Sequence, residues 1–127
     1  MTRVVLDASA LLAKLLGEPG ADVVSACLGA SSISAINYAE VLTSLIELGV
    51  PPREARDTLD RFDCEVVEAD KHRATLAGEL HAVTRRTGVS LGDRFCLALG
   101  RELGVPVLTT DRRWKTLDLD VEVTLIR

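Results

Sequence analysis

The chain has 127 residues, 47% of them hydrophobic but only 3% aromatic, with 15 basic and 19 acidic side chains for a net charge of −4. That length fits one domain whose core needs no disulfide or structural metal, built from Leu, Val, Ile and Ala in α/β layers rather than as an aromatic-rich sandwich. No apolar run approaches the ~18 uncharged residues of a membrane span, and Cys27, Cys64 and Cys96 lack paired spacing, so they read as small buried hydrophobes.

In chain order, residues 1–7 contain no leader-like apolar segment, because Asp7 interrupts it, and a cytoplasmic protein is expected. The β-branched run 3–6 predicts a first strand ending at Asp7. Helical spacing predicts a helix over 9–16, stopped by Gly17-Glu18-Pro19-Gly20. A short helix over 21–28, a weak strand over 31–34 and a strong helix over 36–48 follow, the last closed by Gly49 and Pro51-Pro52. On that helix Val41, Leu45 and Leu48 form one apolar face, which Leu42 and Ile46 widen. Residues 52–62 predict a helix and 64–68 a strand. Asp70 is placed to cap a long helix to Arg86, and Ser90 one running to Leu103. Strands are expected over 105–109 and 121–126. Alternating strands and helices imply crossover connections, hence one α/β domain, 1–127, whose mainly parallel sheet is covered on both faces.

In such sheets ligands bind beyond the carboxyl ends of the strands. Asp7 closes the first strand and Asp111 follows the 105–109 strand, so parallel strands put both at one edge. Asp93 falls in the first turn of its helix, where the dipole favours an anion. Glu40 lies about a turn into the helix after the second strand, amid apolar neighbours where an unpaired carboxylate is costly. Each acid also has an ordinary alternative: turn or cap for Asp7 and Asp111, dipole complement for Asp93, solvated helix residue for Glu40. Net negative charge argues against a nucleic-acid footprint, but setting these four acids aside leaves 15 against 15. His72 and His81, about 2.5 helical turns apart, face opposite ways and make no paired site.

Four segments carry a family resemblance: Leu6-Asp7-Ala8-Ser9-Ala10-Leu11-Leu12, Asn37-Tyr38-Ala39-Glu40-Val41, Ser90-Leu91-Gly92-Asp93 and Leu108-Thr109-Thr110-Asp111-Arg112. In this order and spacing they resemble the PIN-domain nucleases, with the VapC-like toxins of toxin–antitoxin pairs as the nearest branch. The resemblance implies a PIN-like fold in which Asp7, Glu40, Asp93 and Asp111 form a catalytic, metal-holding quartet. It implies that Thr109, with Ser9 and Asn37, supports them, although helix capping explains Ser9 and Asn37 equally well. It further implies an RNA substrate, a cognate antitoxin whose C-terminal segment blocks the acidic pocket, and a homodimer.

Electrostatics makes the same demand. Two unit charges ~4 Å apart repel by ~4 kcal/mol at an effective dielectric of 20, so four clustered carboxylates call for a cation. All-oxygen ligands suit Mg²⁺ or Mn²⁺, which activates water for attack on a phosphodiester. Neutralising Asp7 or Asp93 is expected to leave metal-free stability unchanged or higher. Arg112, Arg113 and Arg94 are the first candidates for RNA phosphates, with Lys14, Arg85 and Arg86 behind them. Trp114 either stacks on a base or packs a helix on the sheet. Rival readings fare worse: a haloacid-dehalogenase-type enzyme needs a second Asp where Ser9 stands, and a nucleotide-binding protein needs a glycine-rich loop after the first strand. A non-catalytic PIN-like binding module and a stand-alone RNA-processing nuclease stay open.

Overall fold

Residues 4–6 are Val-Val-Leu, and a strand without polar side chains is stable only when covered on both faces. In the computed structural model, which describes residues 3–127, this strand, β1 (Val4–Leu6), is the middle of a five-stranded sheet. Met1 and Thr2, part of the stretch weighed as a leader, lie outside the described residues. The other strands are β2 (Ser31–Ser34), β3 (Cys64–Val67), β4 (Val107–Thr109) and β5 (Val123–Leu125). Their order is β3-β2-β1-β4-β5, and every pairing is parallel. The chain builds outward from β1 to β3, then crosses back to lay β4 on the other side of β1. The direction of winding therefore switches between β1 and β4, where an open sheet leaves a crevice beyond its carboxyl edge.

Alternation along the strands sorts the core into two layers. Val4, Leu6, Ile33 and Leu108 face α1 (Ala8–Leu16), α2 (Ala21–Cys27), α3 (Ala35–Glu47) and α4 (Pro52–Asp60), meeting Leu11, Val24, Val41 and Leu59. Val5, Val107 and Val123 face the opposite layer of α5 (Lys71–Glu79), α6 (His81–Thr84) and α7 (Leu91–Leu103), meeting Ala77, Leu80, Leu97 and Trp114. The expected α/β architecture, with helices on both faces of a parallel sheet, is the one found. Among the described residues no helix is long and apolar enough to cross a membrane.

Several local expectations change. The helix expected over 70–86 divides at Leu80 into α5 and α6. The turn tightens at the junction, where the Val83 N–H donates to the Leu80 carbonyl three residues back at 3.2 Å. The strand expected from Val105 begins only at Val107, because Val105 still donates to the Gly100 carbonyl at the end of α7 and Pro106 has no N–H. Leu48, expected on the buried face of α3, is its C-cap and 63% exposed, whereas Val41 and Leu45 are buried. Only Cys96 is buried; Cys27 and Cys64 are half-buried, and all three are free.

Close approach of α7 to the sheet depends on Gly100. A Cβ there would collide with Val107 Cγ1 and lie 3.1 Å from Val121 Cγ2 and 3.3 Å from the Val105 carbonyl. Gly78, on α5, faces open space. Gly100→Ala is therefore expected to cost about 1–3 kcal/mol through overpacking. Gly78→Ala should instead stabilise by about 0.5–1 kcal/mol through helix propensity. Urea midpoints of the two variants, shifting in opposite directions, check the packing of α7 on β4.

Candidate active site

Asp7 directly follows β1, and its neighbour β4 fixes its backbone: its N–H donates to the Leu108 carbonyl at 2.9 Å. The residue is 6% exposed. Its Oδ2 accepts from Ser9 Oγ at 2.8 Å and from Thr109 Oγ1 at 2.9 Å. These hydroxyls are oriented in turn by backbone donors, Ser9 Oγ accepting from the Thr110 N–H at 3.1 Å and Thr109 Oγ1 from the Asp111 N–H at 3.0 Å. The polarity runs one way, from peptide to hydroxyl to carboxylate, and each bond strengthens the next. No cationic side chain pairs with Asp7 among the described residues. Burial therefore pushes its pKa up to about 6, against the pull of the two hydroxyls; the Asp93 charge adds a smaller upward push.

The other wall is made by α3 and α7. Ser34 caps α3, accepting from the Ile36 N–H at 3.3 Å, and this start brings Glu40 round to the first turn of α7. Buried Asn37 joins the two helices: its Nδ2 donates to Glu40 Oε1 at 2.7 Å and to the Gly92 carbonyl at 2.9 Å. Gly92 leaves room for the Glu40 carboxyl group: a Cβ there would lie 2.7 Å from its Cδ, and the carboxylate would have to move aside. Asp93 and Ser90 form a capping box: the Ser90 N–H donates to Asp93 Oδ2 at 2.8 Å and the Asp93 N–H to Ser90 Oγ at 3.1 Å.

Asp111 opens a 3₁₀ turn over Arg112–Thr116. Arg113 grips it from both sides, Nη2 to Oδ2 at 2.6 Å and Nε to Oδ1 at 3.0 Å, while the Arg113 N–H also donates to Oδ1 at 3.0 Å. These contacts, the guanidinium hydrogen bonds foremost, lower the Asp111 pKa against the opposing effect of burial. The acids are thus split, one carboxylate raised by burial and another lowered by its own arginine.

Asp7, Glu40, Asp93 and Asp111 all line one open cleft of about 440 Å³ at the carboxyl edge of the sheet, together with Ser9, Thr110, Ser44 and Arg113. Among the described residues no three His, Cys, Asp or Glu side chains converge closely enough to hold an ion between them. Each acid other than Asp7 is drawn aside by its own partner: Asn37, the Ser90 N–H or Arg113. The donors still fit a hard divalent cation in kind, being all oxygen. The buried, cation-free Asp7 carboxylate is the group such an ion would stabilise most.

Neither Ser9 nor Asn37 caps a helix; both hydrogen-bond to acids of the cleft. Arg94 does not reach it. Its guanidinium turns to α5 and donates to the carbonyls of Ala77 at 3.1 Å and Gly78 at 3.4 Å, which corrects its candidacy as a phosphate contact. Arg112 is exposed on the 3₁₀ turn. Trp114 is fully buried, packing against the sheet rather than offering a stacking face. Gly92 and the Arg113–Asp111 pair escaped the sequence reading. A glycine in a well-capped first turn is unfavourable for the helix itself, and that misfit was the available signal.

The PIN domain family model matches residues 4–119. No curated protein matches the chain. A chain of the DNA-bound VapBC complex of Salmonella typhimurium superposes with a TM-score of 0.76 at 18% identity, over 100% of both chains. A chain of a toxin–antitoxin complex from Klebsiella pneumoniae gives 0.76 at 16%, over 98% of each. The sarcin–ricin-loop-cleaving VapC toxin of Mycobacterium tuberculosis gives 0.74 at 16%, over 94% of this chain and 99% of that one. At these identities the likeness is one of fold.

A buried Asp7 with a pKa near 6, above the roughly 3.9 of an unfolded aspartate, predicts a definite pH dependence. Its contribution favours folding fully below about pH 4 and is lost as pH rises through about 6. In chelator, wild type should lose on the order of 2–3 kcal/mol relative to Asp7→Asn between pH 4 and 8. Asp93→Asn departs from the unchanged or higher stability expected of it and should cost about 0.5–1 kcal/mol, by weakening the capping box. Urea denaturation across that pH range tests both; a wild-type-minus-Asp7→Asn difference that is flat with pH contradicts the account of Asp7.

Proposed function

The chain belongs to the PIN-domain family, and from that premise we propose that it is a Mg²⁺- or Mn²⁺-dependent endoribonuclease acting as the toxin of a toxin–antitoxin pair. One observation carries the reading: Asp7, Glu40, Asp93 and Asp111, which lie far apart in the chain, line a single cleft at the switch point of the sheet. Asp7 and Asp93, with Glu40 and Asp111, are the residues that would hold the ion. When bound, it supplies Lewis acidity towards a phosphodiester and lowers the pKa of water enough for attack at neutral pH.

The protein's own contribution is positioning. Ser9 and Thr109 both donate to Asp7 Oδ2, holding the carboxylate at a fixed angle without neutralising it. Asn37 sets Glu40 against the start of α7, whose dipole favours a negative charge. No His, Cys or Lys lines the cleft among the described residues, so water is the nucleophile. Arg113 at the rim and exposed Arg112, with Arg85 and Arg86 beyond α6, are the cations offered to the RNA backbone.

The structures it superposes on include VapBC and other toxin–antitoxin complexes. This supports an antitoxin as the natural partner, with a basic segment suited to the acidic cleft. Homodimerisation is part of the same proposal. Ile46 and Leu48, 43% and 63% exposed at the end of α3, are apolar groups that the monomer leaves uncovered.

Purified protein with Mg²⁺ should cleave RNA and stop on addition of chelator. Asp7→Asn should lower kcat/KM by at least about a hundredfold, and Thr109→Val, which removes one hydroxyl from Asp7, by about ten- to a hundredfold. Cleavage persisting in Asp7→Asn identifies a contaminating nuclease and overturns the assignment.

A further inference from the structure

Arg113 is the only cationic side chain lining the cleft among the described residues, and it faces Asp111 rather than Asp7. Its grip takes both carboxylate oxygens through Nε and Nη2, with the Arg113 N–H as a third donor. The two residues are two apart on one 3₁₀ turn, so the chain itself supplies the geometry and little extra ordering is needed. The remaining nitrogen, Nη1, sits 3.5 Å from the Thr87 carbonyl, on the loop that leads to Ser90 and Asp93. The guanidinium thus spans the rim from one acid to the segment that carries another.

We propose that Arg113 is a resident counter-cation that withholds Asp111 from the metal ion, so that ion binding at the cleft is an exchange in which the guanidinium leaves Asp111. This rests on the nuclease reading. The pair is suited to exchange rather than permanence. The Arg113 side chain is 56% exposed and that of Asp111 24%, so water screens the attraction and a divalent charge can displace it. A released Arg113 keeps the Thr87 carbonyl as a second seat beside the cleft. Arg94 shows the contrasting case of an arginine whose Nη1 is held by backbone carbonyls away from the cleft.

The test is Mn²⁺ binding to the metal-free protein, followed by electron paramagnetic resonance at constant ionic strength. Arg113→Gln, neutral and similar in reach, should bind Mn²⁺ about three- to tenfold more tightly than wild type. Arg113→Lys keeps the charge but loses the fork, and should fall between the two. Arg112→Gln removes the same charge one residue away and should stay within about twofold of wild type. In the wild type, saturating Mg²⁺ should also shift the NMR resonance of the Arg113 Nε–H. Equal or weaker binding in Arg113→Gln overturns the proposal, as does Arg112→Gln matching it, which reduces the effect to net charge. Asp7→Asn separates the two levels. If Mn²⁺ binds it as tightly as wild type, the cleft is not the ion site and the nuclease reading falls too. If binding needs Asp7 but ignores Arg113, only the exchange falls.

Discussion

The constraint on which the cleft depends is a carboxylate buried without a counter-charge among the described residues. Asp7 sits between the two central strands, held by hydroxyls that orient it but supply no charge. Everything adjoining it serves that arrangement. The parallel pairing of β1 with β4 brings Thr109 to it, and the Thr110 and Asp111 N–H groups turn the hydroxyl hydrogens towards it. Burying a carboxylate in this way weakens the fold at neutral pH, because its charge is taken from water without a partner to offset the loss.

Four acids in one cleft are not equivalent, because each inherits its environment from a different element. Asp7 belongs to the sheet and is governed by burial. Asp93 belongs to the first turn of α7 and completes its cap. Glu40 is placed by an asparagine that binds both helices, and Asp111 is neutralised by the arginine two residues on. Like charges that would repel as a cluster are thereby kept apart by local partners.

Much of this was legible in the sequence. The strand at 31–34 coincides with the structure, and so does the Ser90 cap, a local decision made by side-chain capping. Parallel topology followed from alternation, and with it the meeting of Asp7 and Asp111. What stayed hidden was set by contacts between elements. The 70–86 helix tightens at Leu80 into an i to i−3 turn that its helical spacing does not reveal. Arg94 carries the same charge as Arg113 and adjoins an acid just as closely, yet the twist of α7 sends it to α5. Leu48 matches the apolar spacing of α3, but the helix ends there and no layer covers it.

The bond from Thr109 to Asp7 closes a loop of 102 residues, and β1 has no second neighbour until β4 is in place. Sheets closed by such distant pairings assemble slowly, because the loop entropy must be met before the contact forms. During synthesis the chain emerges N-terminus first, so Asp7 appears 102 residues before the Thr109 that supports it. A nascent chain holding Asp7, Glu40 and even Asp93 still lacks the strand that seats the first of them. The cleft is therefore assembled late, when β4 and β5 dock, and a product truncated before β4 carries three of its acids with no frame to aim them.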